Sequence, residues 1–148
     1  MVALTASFDA DSEQATTVET AAELDAVLDT VAGWEGRIIV QLRIARPVDT
    51  TARRLGLYVG VHGTAGTGTL LHTSPAGVVF SKATPGPDWI PAERILYYYL
   101  NNDTEYPQDS EIPLDTVRSA THEYMNNGGH RPDGPTWQSP PEWYPTAH

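Results

Sequence analysis

The 148-residue chain contains no cysteine, a single lysine, two methionines and two phenylalanines. The missing cysteine excludes a disulfide framework, a thiolate metal site, an iron–sulfur cluster and a cysteine nucleophile. No apolar run approaches the roughly 20 residues that cross a bilayer. The opening Met1-Val2-Ala3-Leu4-Thr5 lacks the basic region and apolar core of a secretory signal. The expectation is a soluble, cytoplasmic protein. Catalytic signatures are missing too. None of the seven serines sits in G-x-S-x-G. Gly60, Gly63, Gly66 and Gly68 do not form G-x-G-x-x-G, and no Gly-Lys-Ser/Thr follows them, so they read as a hairpin turn instead of a phosphate loop.

Basic charge is scarce. Nine basic residues face 19 acidic ones, for a net charge of −10. Phosphate contact needs Lys and Arg, so nucleic acid is a poor partner and a basic macromolecule a good one. The charge is blocked along the chain. Residues 1–36 hold eight acids and no base, residues 37–100 seven bases and three acids, and residues 101–148 two bases and eight acids.

What is present suits one domain. Forty per cent of residues are hydrophobic and 19% charged, and a chain of this length buries roughly 68–70% of its unfolded surface. Residues 2–8 alternate as a strand. Thr20-Ala21-Ala22-Glu23 forms a capping box, and Leu24, Val27, Leu28 and Val31 follow at helical spacing, with Gly33 as an expected left-handed stop. Strands are expected over 37–44, 55–62, 69–73, 77–81 and 95–100, with loops at 9–14, 85–88 and 101–109 and a polar turn at 48–54 that carries Arg53 and Arg54. A second helix starts at Pro113, presents Leu114, Val117, Thr121, Tyr124 and Met125, and stops at Gly128-Gly129. A short strand at 136–138 precedes a Pro- and aromatic-rich tail, 139–148. Two helices are too few to cover both faces of such a sheet. The expected fold is α+β in two layers: a mainly antiparallel six- to seven-stranded sheet, two helices on one face and the other face partly open.

Three constellations carry chemistry. His62 and His72 each lie five residues from Thr67, so a hairpin symmetric about that residue opposes them across two strands. Such a pair suits either a metal, if a third ligand arrives from elsewhere, or two imidazoles on a half-exposed face. Tyr97-Tyr98-Tyr99 alternates: with Leu96, Tyr98 and Leu100 toward the helices, Tyr97 and Tyr99 stand on the open face near Tyr58. There they serve as contact area for a partner, or lie beneath the tail with Trp137, Trp143 and Tyr144. The acidic stretch 101–111 presents Asp103, Glu105, Asp109 and Glu111 to a basic surface.

These elements together resemble immunity protein family one of bacterial polymorphic toxin systems. The resemblance is carried by Thr20-Ala21-Ala22-Glu23-Leu24-Asp25, Gly56-Leu57-Tyr58-Val59-Gly60-Val61, Gly63, Ser81-Lys82 and Tyr97-Tyr98-Tyr99-Leu100. It continues through Thr104-Glu105-Tyr106-Pro107, Ser110-Glu111-Ile112-Pro113-Leu114-Asp115, Gly128-Gly129, Arg131-Pro132 and Trp137. It covers residues 17–138 of a single domain, 1–148. It implies an α+β inhibitor, not an enzyme, that neutralises by stoichiometric occlusion a cognate secreted toxin domain encoded by the neighbouring gene. Many such toxins are nucleic-acid deaminases, including DNA cytidine deaminases, with a basic substrate surface. No catalytic residue, metal or cofactor is implied, and neither nucleic acid nor membrane is an expected partner. The partner-binding residues expected here are Asp103, Glu105, Asp109, Glu111, Tyr97 and Tyr99. A small metal-dependent enzyme at His62 and His72, or a small-ligand module on the aromatic face, is the alternative.

Overall fold

A computed structural model describes residues 2–8, 15–83, 94–99 and 102–144. The loops expected at 9–14 and 85–88, Leu100 and the end of the tail lie outside the described residues. In chain order the elements are β1 (Leu4–Ser7), β2 (Thr16–Val18), α1 (Ala21–Ala32), β3 (Ile38–Ile44), α2 (Thr50–Arg53), β4 (Gly56–His62) and β5 (Thr67–Ser74). They continue with β6 (Gly77–Ser81), β7 (Arg94–Tyr99), β8 (Asn102–Pro107), β9 (Ile112–Pro113), α3 (Leu114–Asn126) and β10 (Trp137–Gln138). One sheet runs in the order β10-β6-β5-β4-β3-β1-β2, with every neighbouring pair antiparallel. The fold is α+β, as expected.

Helix α1 begins where the capping box predicts. The Thr20 hydroxyl accepts from the Glu23 N–H at 3.1 Å, and the Glu23 carboxylate accepts from the Glu19 N–H at 3.0 Å. Leu24, Val27, Leu28 and Val31 form its buried stripe. Its end differs from expectation. Gly33 is right-handed (φ −80°), and the left-handed residue is Gly36 at φ 84°. Helix α3 does end on left-handed glycines, Gly128 and Gly129, and the Gly129 N–H wraps back to the Tyr124 carbonyl at 2.9 Å.

Helices α1 and α3 lie on one face of the sheet. Val40, Leu42, Leu57, Val59, Val61 and Leu70 meet Leu24, Leu28, Val31, Val117, Tyr124 and Met125 there in the main core. The intervening residues point the other way, as strand alternation requires. Ile39, Leu71 and Phe80 form a second core with Tyr97 and Tyr106. That second core is roofed by a hairpin. β7 and β8 pair in antiparallel fashion from Arg94↔Pro107 to Tyr99↔Asn102, and β7 touches the sheet through one parallel bridge, Ile38↔Tyr98. The opposite face thus carries the hairpin over one part and a cleft over another.

Two strand-level expectations are corrected. The acidic stretch is not a loop: residues 102–107 are β8, and a 3-10 turn over Gln108–Ser110 leads into β9, which pairs with the start of β5. The tyrosine run is inverted. Tyr97 is fully buried, while Leu96 is 53% and Tyr98 40% exposed. Alternation fixes which residues share a face, but both faces of this sheet are covered, so it does not fix which set goes inward.

Candidate partner-binding site

The histidine pair does not form. The turn between β4 and β5 is four residues, 63–66, so His62 opposes Thr67 and His72 opposes Leu57. The hairpin is centred two to three residues before Thr67, which slides the two imidazoles apart. His72 is buried, its Nε2–H donates to the Gly129 carbonyl at 3.1 Å, and its ring lies edge-on to Tyr124 and Trp137. Burial lowers its pKa, with the Gly129 hydrogen bond opposing. Among the described residues no group of three or more His, Cys, Asp or Glu side chains is arranged to hold a metal.

The six residues expected to bind a partner fall into different places. Tyr97 and Glu111 are joined internally: the Tyr97 hydroxyl donates to the Glu111 carboxylate at 2.7 Å, and Arg37 Nε donates to the same oxygen at 3.1 Å. Burial and then the Glu111 carboxylate push the Tyr97 phenol far above its ordinary pKa, and the Glu111 bond raises Arg37. Tyr99 is half-buried in the second core and shares the Gln41 amide with Tyr58 and Arg43; the amide oxygen accepts from Arg43 Nε at 2.7 Å and from the Tyr58 hydroxyl at 3.0 Å. These two tyrosines are therefore not exposed contact area. Of the tail rings expected to cover them, Tyr144 joins the same second core, edge-on to Phe80 at 5.0 Å with Phe80 edge-on to Tyr106 at 5.5 Å, whereas Trp137 packs against the main core. Asp109 accepts from the Gln138 amide at 3.1 Å, which ties the 3-10 turn to β10. Glu105 pairs with Arg94 at 3.2 Å on the surface. Asp103 is exposed and has no ion pair among the described residues.

Asp103 and Glu105 come together at a cleft of about 880 Å³. Its floor is the second face of the sheet, at Tyr58, Leu71, Thr73 and Val78. One wall is β8, contributing the consecutive residues Asp103, Thr104, Glu105 and Tyr106; the other is cationic, with Arg43, Arg53 and Arg54. Trp143 and Tyr144 close one side. The arginines arrive there for local reasons. The Asp49 carboxylate caps the short helix α2 through the Ala52 N–H at 2.8 Å, which turns Arg53 and Arg54 back over β3 and β4. Arg43 Nη1 donates to the Arg53 carbonyl at 3.4 Å. The sequence offered two signals for this site, the Arg53-Arg54 pair and the aromatic tail, but nothing local says that they meet 90 residues apart.

A family comparison decides what this architecture belongs to. The profile of the immunity protein Imm1 matches residues 12–139. The chain belongs to the Imm1 immunity protein family. No match was found among curated proteins. Membership of the Imm1 family gives the chain an immunity function against a toxin, with a cognate toxin as its partner. The cleft brings an acidic and a cationic wall together on one surface.

Proposed function

We propose that this immunity protein is a stoichiometric, non-catalytic inhibitor of a cognate secreted toxin encoded by the neighbouring gene. It acts in the cytoplasm, and the toxin is a nucleic-acid deaminase with DNA cytidine as its target. The observation that carries this reading is charge. A net −10 with eight acids in each end block suits occlusion of the basic surface on which such an enzyme lays phosphate. Acidic groups there raise the association rate and select the partner more than they add affinity. The test is calorimetric titration against the toxin domain at two salt concentrations, alongside deamination of a DNA substrate. One-to-one binding that weakens with salt, and loss of deamination at one equivalent, are the expected results. Absence of binding at micromolar concentration overturns the immunity reading for this toxin. Binding to a toxin without deaminase activity overturns only the chemistry assigned to it.

The size of the cleft favours one other reading. A volume of about 880 Å³ lies in the range of small-ligand sites, roughly 300–1,000 Å³. A ligand held there by the native state would raise the melting temperature, and a flat response across a metabolite panel excludes it.

A further inference from the structure

We propose that the outer edge of β8 is the docking strand. An extended segment of the cognate toxin adds to it in the cleft, with a carboxylate placed on Arg53 and Arg54. This inference rests on the immunity reading and adds the surface and the mode of binding.

The edge is open. β8 pairs only with β7 among the described residues. Which of its backbone groups face outward follows from one hydrogen bond. The Tyr98 N–H donates away from β8, to the Arg37 carbonyl at 2.7 Å. Tyr98↔Asp103 is therefore a pair without mutual hydrogen bonds, and in an antiparallel ladder such pairs alternate. Asp103 and Glu105 thus direct both N–H and C=O outward; the Pro107 carbonyl, on the same side, already accepts from the Ser110 hydroxyl at 2.6 Å. Proline sits at this third position with no donor to lose, as proline does on an edge. β8 lines the cleft through the consecutive residues Asp103, Thr104, Glu105 and Tyr106, which belong to both faces of the strand, so the cleft runs along it.

The surroundings define the occupant. Arg43, Arg53 and Arg54 form no ion pair among the described residues, although the protein carries ten excess negative charges. Trp143 lines the same cleft with its Nε1–H buried and without a hydrogen-bond partner. Leu96, 53% exposed, borders the cleft as well. Arginine, tryptophan, tyrosine and exposed leucine are the makings of a protein interface. Side chains of an added strand alternate in direction. On the face shared with Thr104 and Tyr106 they enter the cleft, where an acid meets the arginines. On the other face they lie beside Asp103 and Glu105, which suits basic residues. A second copy of β8 is a poor occupant, because acid would then stand against acid across the new pair.

The test uses full-length protein and the toxin domain in catalytically inactive form. Glu105→Pro deletes an outward N–H that β7 does not use; Glu105→Ala removes the same carboxylate and keeps the N–H. The expected result is that E105P binds the toxin about tenfold more weakly than E105A, with E105P melting as a folded protein. The double charge reversal R53E/R54E weakens binding by about tenfold or more. Hydrogen exchange on the wild-type complex needs no variant: the Asp103 and Glu105 amides become protected when toxin is added. Equal binding by E105P and E105A together with unprotected amides overturns the docking strand and leaves the immunity reading intact. Dimerisation of the free protein through this edge, abolished by E105P, assigns the edge to a second copy and overturns it too. Failure of wild type to bind overturns both readings.

Discussion

The ring of Tyr97 rests on the backbone of Gly60. A Cβ added at Gly60 would stand 2.6 Å from Tyr97 Cε2 and 2.4 Å from Thr69 Cγ2, closer than any side chain permits. Gly60 belongs to the face of β4 that the hairpin covers, so its missing side chain is the seat for the ring that anchors β7. Gly60→Ala should therefore destabilise the protein by about 1–3 kcal/mol, the usual range for overpacking a filled core. Urea denaturation followed by tyrosine fluorescence measures it, and a change below about 0.5 kcal/mol would show that ring and strand part easily.

A buried hydroxyl completes the ladder where β6 diverges from β5. The Leu70 N–H donates to Ser81 Oγ at 3.0 Å, and the Ser81 hydroxyl donates to the Ser110 carbonyl at 2.7 Å. Ser81→Ala leaves both groups buried and unpaired, at a cost of about 1–3 kcal/mol for each group that water cannot reach. Thermal unfolding of S81A against wild type reads this. A variant as stable as wild type would mean that a water replaces the hydroxyl.

His72 gives the stability a pH dependence of known sign. Burial lowers its pKa below the ordinary 6.5. On acidification the unfolded chain takes up this proton first, so the native state loses stability as the pH falls below 6.5, and the loss stops at the native pKa. Above 6.5 the residue adds no slope. The steepest contribution of one proton is about 1.4 kcal/mol per pH unit. Comparing wild type with His72→Gln between pH 7.5 and 5 isolates it, with the flatter profile expected for the variant. Parallel profiles would contradict the burial of this imidazole.

Arg118 clips the two helices together, donating to Asp25 at 2.8 Å and to Asp29 at 2.6 Å, and His122 Nε2 contacts the same Asp25 oxygen at 2.8 Å. The Arg118 bond, then that of His122, holds the Asp25 carboxyl below its usual range. The cluster is well solvated, with Asp29 69% exposed, so Arg118→Ala should cost only about 0.5–1 kcal/mol, and less at high salt. Denaturation at low and high ionic strength checks both the size and its screening.

The helices were legible in the sequence because their signals are local. The Thr20–Glu23 box, the i, i+3, i+4 stripe and the paired glycines after Asn126 act within a few residues, and the structure follows them to within a residue or two. β3 and β4 were legible because one set of alternating residues is uniformly aliphatic. The acidic strand was not, because Asn102–Pro107 shows no apolar alternation; only Tyr106 and Pro107 at its end are buried, and the rest is held by cross-strand pairing with β7. Nor was the histidine register, since glycines spaced at 60, 63, 66 and 68 do not say where the centre of the turn falls. Of the site, the arginine pair and the aromatic tail were visible as residues, but only the return of β8 over the sheet makes them neighbours.

The hairpin is joined to the sheet by a single parallel bridge, by the trio of Arg37, Glu111 and Tyr97, by the Tyr99 contact with Gln41 and by the packing of the second core. Its rings cover one face of the sheet while the helices cover the other, and the two cores share strands but no side chains. Lifting the hairpin thus uncovers the tyrosines without disturbing the leucines and valines beneath the helices. The expected consequence is two cooperative units of unequal strength: in hydrogen exchange the amides of β7 and β8 should open by a shorter route than those of β4 and β5.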